Sequence, residues 1–207
     1  MATFALIPAA GHSQRMGRPK LALPLGEQTV LERVLATIRL AGVERTLLVL
    51  APHVAFLEAV AGATDPARQI EILLLPAATS DMRTTVQHGL DWIESHWRPA
   101  GADRWLLVPA DHPVLDPAVI RALGHALDQS PVSSIAVPTH QGKRGHPTLI
   151  AWKHVANLRS FPYDQGLNTY LRQFPAETIE LPWPDDSVLR DLDTPEDYAK
   201  LVMKRGD

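Results

Sequence analysis

Residues Pro8 to Leu25 read PAAGHSQRMGRPKLALPL. A short apolar run, Phe4 to Ile7, precedes them, and an amphipathic segment starts near Gln28. That order is strand, small-residue loop, helix. Ala9, Ala10 and Gly11 carry little side chain, so backbone N–H groups can come close to an anionic ligand. Arg15, Arg18 and Lys20 then place three positive charges within six residues. Composition alone leaves two readings open: a loop suited to a triphosphate, or a surface loop whose basic side chains are solvated.

Working outward, Val30, Leu31, Val34, Leu35 and Ile38 have helical spacing, and Gly42 ends that helix. Thr46 to Leu50 is a continuous apolar run, the mark of a buried parallel strand. Further strands are expected at 70–75, 104–108, 134–137, 148–151 and 178–181. Helices are expected at 52–60, 84–97, 117–127, 153–159, 167–173 and 195–203, with Asp116 and Thr194 as N-caps of two of them. Strand and helix alternate through the first two-thirds of the chain. This predicts a single α/β domain over residues 1–207, a three-layer α/β/α Rossmann-like fold around a mostly parallel sheet. Its ligand would lie beyond the carboxyl ends of the strands. The less regular stretch at about 140–184 is expected to form a wall or lid on the acceptor side.

The totals set limits. A chain of 207 residues is long enough for a sizeable core. The net charge of −3 gives no global pull toward nucleic acid. The absence of cysteine excludes disulfides and thiolate metal sites and fits a cytoplasmic, reducing setting. The apolar N-terminus lacks a basic leader, and no run is long enough to span a bilayer, so neither membrane nor export is expected.

With Ala9, Ala10, Gly11, Ser13, Arg15, Met16, Gly17 and Lys20 in register, the opening stretch resembles the signature loop of the MobA-like NTP transferases. These are nucleotidyltransferases with a GT-A-type, Rossmann-like fold. The loop is not a Walker-type phosphate loop, since no Gly-Lys-Ser/Thr follows. The resemblance implies nucleotide contacts from Ala9, Ala10, Gly11, Ser13, Arg15 and Lys20. It gives Arg15 and Lys20 the task of neutralising charge on the phosphates.

Three other stretches agree. Trp105 to Pro113, WLLVPADHP, is a buried strand ending in Asp111. Taken alone, Asp111 is a turn residue or a Mg²⁺ ligand; the resemblance implies the ligand and a catalytic role. In Asp191 to Asp197, DLDTPED, a helix start enriched in acids accounts for Glu196 and Asp197. It accounts less well for Asp191 and Asp193, and the resemblance implies that Asp193 is the second metal ligand. Thr79 to Leu90, TSDMRTTVQHGL, places Thr84 and Thr85 where the family has hydroxyls facing the nucleotide. Here Ser80-Asp81 stands where the family often has glycine.

Gly142 to Pro147, GKRGHP, is similar to an acceptor-side element of molybdenum cofactor cytidylyltransferases, which makes Gly145, His146 and Pro147 acceptor contacts. Gly166-Leu167-Asn168 departs from the Gly-x-Arg usual there. The resemblance therefore implies Mg²⁺-dependent transfer of CMP from CTP to molybdopterin, releasing pyrophosphate, with a molybdoenzyme client as partner. Two alternatives stand beside it: the same transfer to a sugar- or polyol-phosphate, and a non-catalytic carrier of nucleotide or molybdenum cofactor.

Overall fold

The computed structural model describes residues 1–11, 16, 19–61, 69–162 and 165–203. Its strands are β1 (Thr3–Pro8), β2 (Pro24–Leu25), β3 (Gln28–Thr29), β4 (Arg45–Leu50), β5 (Ile70–Leu74), β6 (Arg104–Leu107), β7 (Ile135–His140), β8 (Lys143–Arg144), β9 (Thr148–Ala151) and β10 (Thr178–Pro182). Its helices are α1 (Val30–Leu40), α2 (Leu57–Ala61), α3 (Met82–Trp97), α4 (Pro117–Asp128), α5 (His154–Ser160), α6 (Leu167–Leu171) and α7 (Pro195–Met203).

Among the described residues eight strands form one sheet, ordered β10-β7-β9-β6-β1-β4-β5, with β8 paired to β7. The pairs β1–β4, β1–β6, β4–β5 and β7–β10 are parallel. β9 runs antiparallel between β6 and β7. The expected mostly parallel sheet is thus present, with one strand reversed in its interior.

The apolar runs are continuous because both sheet faces are covered. In β1, Ala5 and Ile7 pack with α1 and α4 residues, whereas Phe4 and Leu6 pack with α3 and α5 residues. Leu48 and Leu50 of β4 face the first layer, and Leu47 and Val49 the second. The three layers follow from that alternation. Helix α1 starts two residues later than its periodicity suggests, because Gln28 and Thr29 first pair with Leu25 and Pro24. Thr29 and Glu32 then close a capping box: the Glu32 amide donates to Thr29 Oγ1, and the Thr29 amide to Glu32 Oε2.

Helix α3 lies hard against the sheet. A Cβ on Gly89 would sit 2.4 Å from Leu6 Cδ1 and 3.1 Å from Val49 Cγ2. A side chain there would crowd the buried Leu6 and Val49 side chains of β1 and β4. No described helix is long and apolar enough to cross a membrane.

Candidate active site

β1 and β6 are parallel neighbours, so the loops that follow them open at the same sheet edge. From β1 the chain moves to β4 on one side, while β6 lies on the other. A crevice forms at such a switch point. A cleft of about 360 Å³ occupies it, lined by Ala9, Ala10, Gly11, Lys20, Thr85 and Asp111 among others.

Lys20 begins a 3-10 turn, Lys20–Ala22, that buries Leu21 in the core beneath it. Its ammonium donates to Asp111 Oδ2 at 2.7 Å and to Asp193 Oδ1 at 2.9 Å. Asp111 stands just past the buried end of β6. Asp193 is brought beside it by Leu192, which is fully buried and whose amide donates to the Asp111 carbonyl at 2.9 Å. The Asp197 amide donates to Thr194 Oγ1, and the Thr194 amide and hydroxyl both donate to the Asp197 carboxylate, so Asp197 serves helix α7. The helix-start reading is right for Asp197, while Asp193 is held with Asp111 by Lys20 beside the cleft.

Burial works to lower the Lys20 pKa, but the combined charges and hydrogen bonds of Asp111 and Asp193 hold it above its ordinary value. Asp191 goes the other way from an ordinary carboxyl: burial, then the charges of Asp193 and Asp111, raise its pKa. Carboxylates therefore crowd here. Two of them converge on one point now held by an ammonium. That donor set suits a hard divalent cation whose remaining positions are taken by phosphate oxygens and water. No group of three or more His, Cys, Asp or Glu side chains placed to hold a metal ion occurs among the described residues.

The start of α3 forms the far wall. Asp81 is its N-cap, accepting from the Thr84 amide at 2.8 Å and from Thr84 Oγ1. The Thr84 amide and the Ser80 hydroxyl hold the Asp81 carboxyl below its ordinary pKa. The departure at Ser80-Asp81 is thus occupied in capping the helix. Thr84 is turned to that cap, and Thr85 alone of the two lines the cleft. Ala9 also lines it, but its amide donates to the Val49 carbonyl at 2.9 Å. Met82, half exposed, offers an apolar rim.

On the other side of Asp111, His112 is buried and its ring meets that of His146 edge-on, centroids 5.1 Å apart. Gly145 is packed so tightly that a Cβ would lie 2.3 Å from the Val188 carbonyl oxygen. The His146 amide donates to that same oxygen at 2.8 Å. Gly145→Ala is expected to cost about 1–3 kcal/mol by overpacking against backbone that cannot yield. Urea unfolding should show a lower midpoint at unchanged slope.

Burial, aided by the neighbouring His112, lowers the His146 pKa to about 4. The unfolded chain therefore takes up this proton first as pH falls. The stability involved is complete above pH 6.5 and is lost as pH drops from 6.5 toward 4, by up to about 3 kcal/mol. His146→Gln is expected to flatten the urea midpoint over that window; an unchanged slope would assign it to other groups.

Of the sequence-derived residues, Ala9, Ala10, Gly11, Lys20, Thr85, Asp111 and Asp193 come together, and Gly145, His146 and Pro147 flank them through His112. Ser13 and Arg15 lie outside the described residues. Three side chains had not been singled out: His112, Arg83 and Arg172. Arg83, buried on the first turn of α3, donates to the carbonyls of Leu158, Phe161, Pro162 and Gln165. It ties the wall of the cleft to the α5–α6 connection. The only sequence signal for it was its place one residue before the two threonines.

A doubly wound sheet with two aspartates gathered on a lysine from the first loop is the layout of an α/β protein whose ligand sits at a switch point. Residues 5–178 match the MobA-like NTP transferase domain, and the chain belongs to that family. It is 30% identical over 141 residues to the 2-C-methyl-D-erythritol 4-phosphate cytidylyltransferase of Syntrophotalea carbinolica, a match covering 67% of this chain and 58% of that one. The chain thus spans less than two-thirds of that relative's length. Rv0371c of Mycobacterium tuberculosis H37Rv superposes with a TM-score of 0.76 at 23% identity, over 98% of both chains. A manganese complex of Rv0371c gives 0.73 at 24%, over 98% of this chain and 99% of that one. These two likenesses bear on the fold.

Proposed function

We propose that this chain is a divalent-cation-dependent nucleotidyltransferase that moves CMP from CTP to the phosphate of a polyol- or sugar-type acceptor. The observation that carries the reading is the Lys20 ammonium bonded to both Asp111 and Asp193 at the switch-point cleft. The cytidylyl and polyol-phosphate parts rest on the activity named for the Syntrophotalea relative. That relative favours this acceptor class over the molybdopterin expected from the Gly-His-Pro element.

In the reaction an acceptor phosphate oxygen attacks the α-phosphorus, a new P–O bond forms, and the bond to the bridging oxygen breaks as pyrophosphate leaves. The protein's share is alignment and charge stabilisation. Ala10 and Gly11 present backbone amides, with Ser13 and Arg15 of the same loop assigned to the phosphates. Lys20 offsets charge growing on the α-phosphate and the leaving group. Thr85 and the Met82 rim border the nucleoside. Asp111 and Asp193 would hold the divalent cation, which would supply further neutralisation of the phosphate oxygens. Magnesium is the ion proposed.

Calorimetry with CTP, GTP, UTP and ATP in the presence of Mg²⁺ tests the reading. Selective CTP binding that weakens in Asp111→Ala is expected. Binding of no nucleotide would end it, and binding without pyrophosphate release from any acceptor would favour the carrier. One observation keeps molybdopterin as a second reading: Gly145 and His146 are locked in place one imidazole pair from Asp111. Pyrophosphate release with 2-C-methyl-D-erythritol 4-phosphate against molybdopterin separates the two acceptors.

A further inference from the structure

A second cavity of about 570 Å³ opens on the far side of His146. Lys143, Arg144, His146, Thr148, Asn168 and Arg172 supply most of its polar lining. Its charge is unbalanced. Glu180 is the one carboxylate in the lining, and it accepts from Arg144 Nε and Nη2, both at 2.8 Å. Among the described residues neither Lys143 nor Arg172 has an ion-pair partner. Four other described arginines are paired with carboxylates: Arg45 with Glu71, Arg104 with Asp128, Arg159 with Asp91 and Glu94, Arg190 with Asp186.

Asn168 and Arg172 stand one helical turn apart at α6, so both reach the cavity above Leu171. Lys143 comes from the opposite wall, on the short strand β8. His146 belongs to this lining and also touches His112, the neighbour of Asp111. One pair of rings therefore separates the cavity from Asp111.

We propose that this cavity is an anion-recognising subsite for the acceptor: the acceptor carries, besides its reacting phosphate, a second anionic group, and Lys143 and Arg172 hold it. The inference rests on the nucleotidyl-transfer reading and narrows its acceptor class. A guanidinium and an ammonium facing one polar cavity recognise phosphate or carboxylate by charge-assisted hydrogen bonds. The volume lies within the range of small-molecule sites, so the group arrives on a body of some size.

The test uses the whole chain saturated with CTP and Mg²⁺, so that the triphosphate site is filled. The probes are alkane-α,ω-diol bisphosphates of increasing length, each paired with the ω-hydroxyalkyl monophosphate of the same length. One length of bisphosphate is expected to bind about tenfold tighter than its monophosphate, the gain of one charge-assisted contact. Lys143→Ala/Arg172→Ala should abolish that advantage, and Arg172→Lys should restore part of it relative to Arg172→Ala. CTP affinity and thermal stability should stay unchanged in all of them, since both side chains are exposed. No advantage at any length, or an advantage that survives the double variant, would overturn the proposal. Failure of CTP itself to bind would instead remove the reading beneath it, and the same probe pairs without nucleotide would still report on the cavity.

Discussion

Lys20→Ala is expected to lower turnover about 10²–10³-fold, the usual effect of removing one preorganised charge donor from developing phosphate charge. The side chain is only 14% exposed, and its ammonium is fixed at two points. With a divalent cation seated on the two carboxylates, the ammonium would turn from them to the phosphates beside it. Its removal also leaves Asp111 and Asp193 facing each other without the cation between them. The measurement is steady-state pyrophosphate release at saturating CTP and acceptor. Near wild-type turnover would show that the cation serves the fold alone. Lys20→Arg should recover little of the loss, because a planar fork cannot occupy the point where one ammonium meets two oxygens.

Arg83→Met is expected to have the largest effect on stability, about 3 kcal/mol or more. Arg83 is 6% exposed, its guanidinium serves four backbone carbonyls, and the guanidinium carbon lies 5.2 Å from the centre of the Phe161 ring. Methionine keeps much of the volume but strands those oxygens away from water, and each stranded acceptor carries a desolvation cost. Urea unfolding measures it. Arg83→Lys should lie between the two, since one ammonium cannot span four acceptors. Acceptor KM should rise in these variants more than the dissociation constant for CTP, because the tethered segment leads to α6 and the second cavity. Equal changes in both would place the disturbance in α3 itself.

What could be read from the chain alone depended on how local the signal was. Asp111 was legible because a buried apolar run, the strand Arg104–Leu107 and the three buried residues after it, ends at that carboxylate. Asp193 was legible because Asp191 and Asp193 alternate around an apolar Leu192. Helix α7 could be bounded from Thr194-Pro195 and the acids behind them. The roles of the two threonines were harder to separate. A cap at Asp81 claims the amide three residues on, and so turns Thr84 away while Thr85 faces the cleft. Arg83 was hidden because its partners lie 75 to 82 residues later, and no spacing rule reaches that far. The reversal of β9 was hidden too: a short apolar run has the same pattern in either direction. Arg172 sits one helical turn after the Asn168 departure, and only the fold shows that both face one cavity.

Strand β1 is hydrogen-bonded on both edges, to β4 and β6, and covered on both faces. Its amides are expected to exchange with deuterium only when the whole molecule opens, whereas those of the five-residue α6 should exchange through small local openings. The cleft and its neighbouring cavity are thus built on parts of different persistence. The nucleotide would meet a floor that holds its shape for as long as the protein stays folded. The acceptor would meet a wall that can adjust on a much shorter timescale, and that wall is the place where a change of acceptor would disturb the rest of the molecule least.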